Sequence, residues 1–368
     1  MDAARNYEIQ AENNSIDIHG INKLKDIAIN GESPIHDQLA VYVDKDVNGL
    51  DCKALLDNSI NLTRGEAFRG IAKVCWKDKD TANTFKEVIA NALNNEHPAV
   101  KMSAIEALCP FLNYDERWAV DTFISAINVD VRLAGAHSAY QFFNCGFADN
   151  KEKFIPVIMK MLTSNHNEVR KIAAIQIIAR WLFHGVFSDK IEVVLNGDIE
   201  VRKGAAEIVK DLLCSQKYSS AQLVPLFKKL ANDEESDVRR IVSSIFRKDT
   251  IYEKPFRDEL LSEFTFSLAA ETEFRDLFYQ LQRYDGTLLP FADSVLKLVI
   301  RLTNGLTQAK TSEIGYVIPK VVMRLYDEAY ALSDSGRIDL CLDIWDLLFE
   351  NGIGESRQML DQMQDSLL

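Results

Sequence analysis

Nowhere in the 368 residues does an apolar run reach the roughly 18 residues of a membrane-crossing helix, so no membrane span is expected. The opening MDAARNYEIQ lacks a basic stretch followed by an apolar one and is expected to carry no export signal. Six cysteines, Cys52, Cys75, Cys109, Cys145, Cys214 and Cys341, are scattered singly with no Cys-x-x-Cys pair. In a long chain without an export signal such residues are expected to be buried thiols of a reducing compartment, which implies a cytoplasmic protein.

Reactive motifs are missing as well. None of the six histidines forms His-x-x-x-His or lies at zinc spacing from a cysteine. His137 falls on an expected helix, where a solvated or hydrogen-bonded role is the ordinary one. No Gly-x-Ser-x-Gly occurs, and no serine or cysteine has a locally implied base. The nearest approach to a phosphate loop is NGLTQAKTS, Asn304–Ser312. Gly305 is one residue too close to the lysine, Ala309 replaces the second glycine, and no buried strand precedes it, so a helix–helix turn is expected. Asp343 and Asp346 share a helix face, as solvated acids do on a surface helix. These absences predict no enzyme, no cofactor and no bound metal. Alternating β-branched strands are also missing, with LAVYVDKDV, Leu39–Val47, coming closest.

A net charge of −13 argues against simple nucleic-acid binding. The excess is uneven: residues 1–60 carry −6, residues 61–250 carry +2, and residues 251–368 carry −9. Acidity gathers at the two ends.

What is present is a repeat. NEVRKIAAIQIIARWLF, from Asn167, is echoed 32 residues later by IEVRKGAAEIVKDLL. The anchors Thr63-Arg64, Val100-Lys101, Val131-Arg132, Val169-Arg170, Val201-Arg202 and Val238-Arg239 are spaced by 37, 31, 38, 32 and 37 residues. Four residues past each anchor the side chain is small in five of six repeats: Ala67, Ala104, Gly135, Ala173 and Ala205, with Val242 departing. Six residues before the basic position stand the turn-forming residues Asn58, Asn95, Ser164, Asn196 and Asp233; Ala126 breaks this column in the Val131 repeat. Pro156 matches Pro225, each placed to start or bend a first helix.

Each repeat holds two apolar helical patterns joined by a polar turn. In the fourth, the first is expected at Lys151–Thr163 and the second at Glu168–Phe183. The second is apolar nearly all round and needs covering on several sides, which stacked neighbours supply.

Proline, then Asp or Asn, then Val-Arg, then a small residue resembles the HEAT repeat, over about Asp57 to Arg247. The resemblance implies an all-α fold: an α-α superhelix, a HEAT-like solenoid of armadillo-like helical hairpins, with irregular helical caps. It further implies a ladder between neighbouring repeats, here through Asn58, Arg64, Asn95, Lys101, Asn196, Arg202, Asp233 and Arg239.

Three regions are expected: a polar N-terminal cap or extension at 1–57, HEAT-like repeats at 58–249, and degenerate helical hairpins with a C-terminal cap at 250–368. The last two helical segments resemble the tail helices of bacterial ATPase-linked HEAT proteins. That resemblance implies a scaffold or sensor part of a multi-protein, defence-type complex.

One constellation suggests a surface. Arg170-Lys171, Arg202-Lys203 and Arg239-Arg240 stand in register and would stack into a basic stripe able to neutralise phosphates. Trp181 and Phe246 lie near enough in sequence to stack bases. The first residue of each pair belongs to the repeat signature and is expected to serve the fold. The leading expectation is a non-enzymatic scaffold for protein partners, with basic partner surfaces favoured by the acidic ends. Two alternatives stay open: nucleic-acid binding on the stripe, and a HEAT-like DNA glycosylase or lyase. The second requires a cleft holding an acid of raised pKa.

Overall fold

The computed structural model describes residues 2–32, 52–215, 220–304 and 308–351, and its described residues are helical, with no strand among them. LAVYVDKDV and part of the Asn304–Ser312 turn lie outside the described residues. The chain divides into two compact units, Met1–Gly204 and Ala205–Leu368.

In the first unit the longer helices are α1 (Asp2–Glu12), α2 (Ile18–Asn30), α3 (Cys52–Asn61), α4 (Thr63–Cys75), α5 (Lys86–Asn95), α6 (Pro98–Leu108), α7 (Glu116–Val129), α8 (His137–Gly146), α9 (Lys151–Leu162) and α10 (Asn167–His184). α11 (Ile199–Cys214) contains the division. Side-chain oxygens start several of these. Asp17 accepts from the Gly20 N–H at 2.7 Å and Asp115 from the Trp118 N–H at 3.3 Å. His97 accepts from the Ala99 N–H, with Pro98 at the first helical position. Gly185 closes α10 in the left-handed region at φ 67°.

Packing follows the repeat. α1 and α2 lie on α4, α4 lies on α6, α5 pairs with α6, and α9 pairs with α10. The expected bounds of α9 and α10 hold to within one residue. Pro156 and Pro225 both sit inside their helices rather than at the start. No residue of α10 from Val169 to Leu182 is fully exposed, as its apolar circumference requires. Ala67, Ala104 and Ala173 are completely buried.

The repeat at Val131 is different. Val131–Gly135 forms a 3-10 turn, and a regular helix starts only at His137. Asp130 takes the Arg132 N–H at 3.1 Å and its guanidinium at 2.7 Å, which draws the chain into a tight local turn. Gly135 passes so close to α3 that a Cβ would stand 2.6 Å from Cys52 Cβ. The centre of this unit is aromatic. Phe123 stacks on Phe142 at 4.3 Å and meets Phe143 edge-on at 5.3 Å, with Phe154 at 6.2 Å.

Arg180 is a buried cation in α10, 2 % exposed. Its Nη2 donates to Asn144 Oδ1 and Gln176 Oε1, and the guanidinium lies 4.9 Å from the centre of the Phe147 ring. Burial pushes its pKa down to about 10, which leaves it charged at neutral pH. Among the described residues no carboxylate pairs with it, and Nε has no acceptor. Asn144→Asp is expected to supply the counter-charge and raise stability by about 1 kcal/mol at neutral pH. The gain should vanish as the new carboxylate protonates. Melting curves at neutral and acid pH check this, and no gain at neutral pH refutes it.

In the second unit α12 (Ser220–Ala231) pairs with α13 (Ser236–Ser243), and α14 (Arg257–Thr265) packs on α16 (Ala292–Asn304). α15 (Phe274–Arg283) packs on α17 (Gln308–Ala331), which pairs with α18 (Ser335–Glu350). Two helices end at an Asn-Gly step. Asn351 closes α18, its amide donating to the Leu347 carbonyl at 2.7 Å. Asp343 and Asp346 are exposed on α18.

Four cysteines are buried: Cys52, Cys75, Cys109 and Cys341. Cys145 is exposed and Cys214 half-buried, so the expectation of buried thiols holds for four of six. Burial pushes Cys75 and Cys109 up to about 12 and Cys341 up to about 11. No helix among the described residues is long and apolar enough to cross a membrane.

Candidate functional site

The basic pairs divide their labour. Arg170 Nη1 donates to the Ser164 carbonyl at 2.7 Å, Arg202 Nη1 to the Gly197 carbonyl at 2.7 Å, and Arg239 Nη1 to the Asp233 carbonyl at 2.7 Å. Each reaches back across the turn to satisfy a carbonyl just past the preceding helix. The second member of each pair meets an acid one helical turn earlier: Lys171 with Glu168 at 3.9 Å, Lys203 with Glu200 at 3.1 Å, and Arg240 with Asp237 at 2.6 Å. Four of these basic residues belong to the first unit and two to the second. Phe246 is no stacking platform. It is 1 % exposed and packs between Phe227 and Phe264 in the core of the second unit.

The Asn column also makes contacts within its own helices. Asn58 donates to the Ala54 carbonyl inside α3 and Asn196 to the Glu192 carbonyl at the end of its helix, each at 2.8 Å. Bridges between neighbouring repeats come from acids further along the turn. Arg64 Nη1 meets Glu96 at 2.6 Å, and Arg170 Nε lies 2.8 Å from the Asp198 carboxylate.

A cleft of about 490 Å³ opens in the first unit. Leu56, Ser59 and Ile60 of α3 form one wall, and Arg69 of α4 enters beside them. Met102, Ser103 and Glu106 project from α6; Ala136, His137, Ser138 and Gln141 close the far side at the start of α8. The second helical segments of three successive repeats therefore share one cleft.

Its charges are unevenly matched. Arg69 is held by Glu8 at 3.3 and 3.4 Å, and donates to the Ser59 and Ile60 carbonyls at the end of α3. Lys73 bridges Glu8 and Glu12, each at 3.1 Å. The Ser59 carbonyl also takes the Ser103 hydroxyl at 3.2 Å. Glu106 has no such company: among the described residues no donor lies on its carboxylate. Burial pushes it above the ordinary carboxylate range. Glu8 adds to the rise, while Arg69, Lys73 and His137 offset only part.

This has a consequence for stability. The folded carboxyl holds its proton more tightly than the unfolded one, so stability falls as pH rises from the ordinary carboxylate value through the raised one. Above the raised value the full penalty is in force. Glu106→Gln should therefore melt higher than the parent at neutral pH, with the gap closing in acid. Paired melting curves decide it: identical neutral-pH midpoints refute the burial account.

His137, singled out by the sequence, is exposed at the rim of the cleft. Arg69 and Glu106 were not singled out. The available signal was Ser103 and Glu106, two polar residues three apart in PAVKMSAIEAL, which is otherwise apolar except for Lys101. Among the described residues no group of three His, Cys, Asp or Glu side chains converges as a metal site would require.

No family model matches the chain, and no curated protein matches it. Among solved structures, an engineered protein is 15 % identical, with 95 % of this chain and 94 % of its own covered, at a TM-score of 0.31. A second engineered protein is 17 % identical, with 83 % and 97 % covered, at 0.16. Neither superposes well enough to assign a fold or a function.

Proposed function

We propose that this chain is a non-enzymatic scaffold for protein partners, built from stacked helical hairpins. The observation carrying this reading is the cleft to which three successive repeats contribute side chains. Repeated helical pairs offer just such surfaces, composed of many residues from several elements. The acidic balance of the chain favours a basic partner.

The basic pairs favour nucleic acid less. Three of their residues are oriented by backbone carbonyls and three stand beside acids one turn away, which offset part of the charge that would release counterions from phosphates. The glycosylase or lyase alternative finds its raised carboxyl in Glu106, but the described cleft lining includes no Phe, Tyr or Trp ring to hold a base.

Affinity capture from native lysate, with and without nuclease, tests the proposal. The expected result is a stoichiometric protein partner that survives nuclease and is captured equally by the Lys171→Glu, Lys203→Glu, Arg240→Glu triple variant. Nucleic acid recovered by the parent and lost by the triple variant would replace this reading with the stripe.

A further inference from the structure

We infer that the cleft between α3, α4, α6 and α8 receives the cationic side chain of an arginine or lysine from a protein partner, with its head on Glu106 and its stem along Leu56, Ile60 and Met102. This rests on the scaffold reading and names the chemistry its partner presents.

The sign of the guest follows from what the cleft has already matched. Arg69 is occupied by two carboxylate oxygens and two carbonyls, and Lys73 by two acids, so neither calls for an anion. The Ser59 carbonyl already has two donors. Among the described residues no donor lies on Glu106, whereas Arg69 is fully engaged, and Glu106 lies in a recess that admits one. A carboxylate so placed gains most from a cation that brings its own donors.

The apolar part of the lining fixes the shape of that cation. Leu56, Ile60, Met102 and Ala136 offer surface to an aliphatic stem, while Gln141 and His137 stand at the mouth. A small hydrated metal ion would leave this surface unused. The volume lies within the range that takes an organic group together with a little flanking backbone.

The test uses the full chain and two short peptides, one with a single arginine and one with citrulline in its place. Binding is read by calorimetry and by the carboxyl resonances of carbon-13-labelled glutamates. The arginine peptide should bind saturably and shift the Glu106 signal; citrulline should weaken binding by at least about tenfold. Glu106→Gln should weaken the arginine peptide to a similar degree. Ile60→Lys, at an exposed position, should do the same by repulsion without touching the core. Equal binding of both peptides, unchanged binding by the two variants, or no saturable binding by the parent would each overturn the inference. Repeating the lysate capture with Glu106→Gln separates the two readings. A partner captured undiminished leaves the scaffold and removes the cleft. Peptide binding at Glu106 with no protein captured leaves the cleft and removes the scaffold.

Discussion

Phe123→Ala is expected to cost the first unit about 3–5 kcal/mol. The ring is completely buried, and three others lean on it: Phe142 stacked at 4.3 Å, Phe143 edge-on at 5.3 Å, and Phe154 at 6.2 Å. These neighbours come from α8 and α9, two separate helices, so no single shift can collapse the cavity. The loss therefore combines lost apolar transfer, an unfilled void and broken aromatic pairing. Urea unfolding of the parent and variant, read by circular dichroism, gives the difference. A midpoint shift equivalent to less than about 1 kcal/mol would mean that the cluster contributes little.

A second large effect is expected where helix propensity gives the opposite sign. Alanine in place of a helical glycine ordinarily stabilises by about 1 kcal/mol. Gly65, in the first turn of α4, is a different case. A Cβ there would stand 1.9 Å from the Ser59 carbonyl oxygen and 3.0 Å from Ser103 Oγ. The carbonyl is backbone and already takes Arg69 and Ser103, so it cannot swing away without breaking both bonds. Gly65→Ala should destabilise by about 3 kcal/mol, as overpacking does at its upper range. Gly336, in the first turn of α18, is the control: a Cβ there meets nothing nearer than 3.8 Å. Gly336→Ala should be neutral or stabilising. If both variants melt alike, the close approach at Gly65 is not what determines its identity.

These two glycines show what a sequence can and cannot disclose. A glycine in a helix reads the same at either position, because the clash depends on a carbonyl brought in by a different helix. By contrast α9 and α10 were legible nearly to the residue, since apolar period and capping are local. The basic column was legible too, because an arginine in the first turn of a helix reaches back to the turn just before it. The break at Val131 showed only as the missing cap at Ala126. The close approach of Gly135 to Cys52, which accompanies it, spans more than 80 residues of chain. The cleft was hidden for the same reason: its walls come from segments spread between Leu56 and Gln141. What marks Glu106 is the absence of a partner, and no single stretch of sequence can show that.

The cysteines of the interior amount to a set of clocks. A thiol-modifying reagent needs both access and a thiolate, and Cys75, Cys109 and Cys341 offer little of either while folded. Cys145 should label first on the intact molecule. After that, labelling at Cys75 and Cys109 would time the opening of the first unit, and labelling at Cys341 that of the second. Peptide-resolved mass spectrometry of a single labelling series would thus give a breathing rate for each unit of the wild-type chain, with no engineered probe.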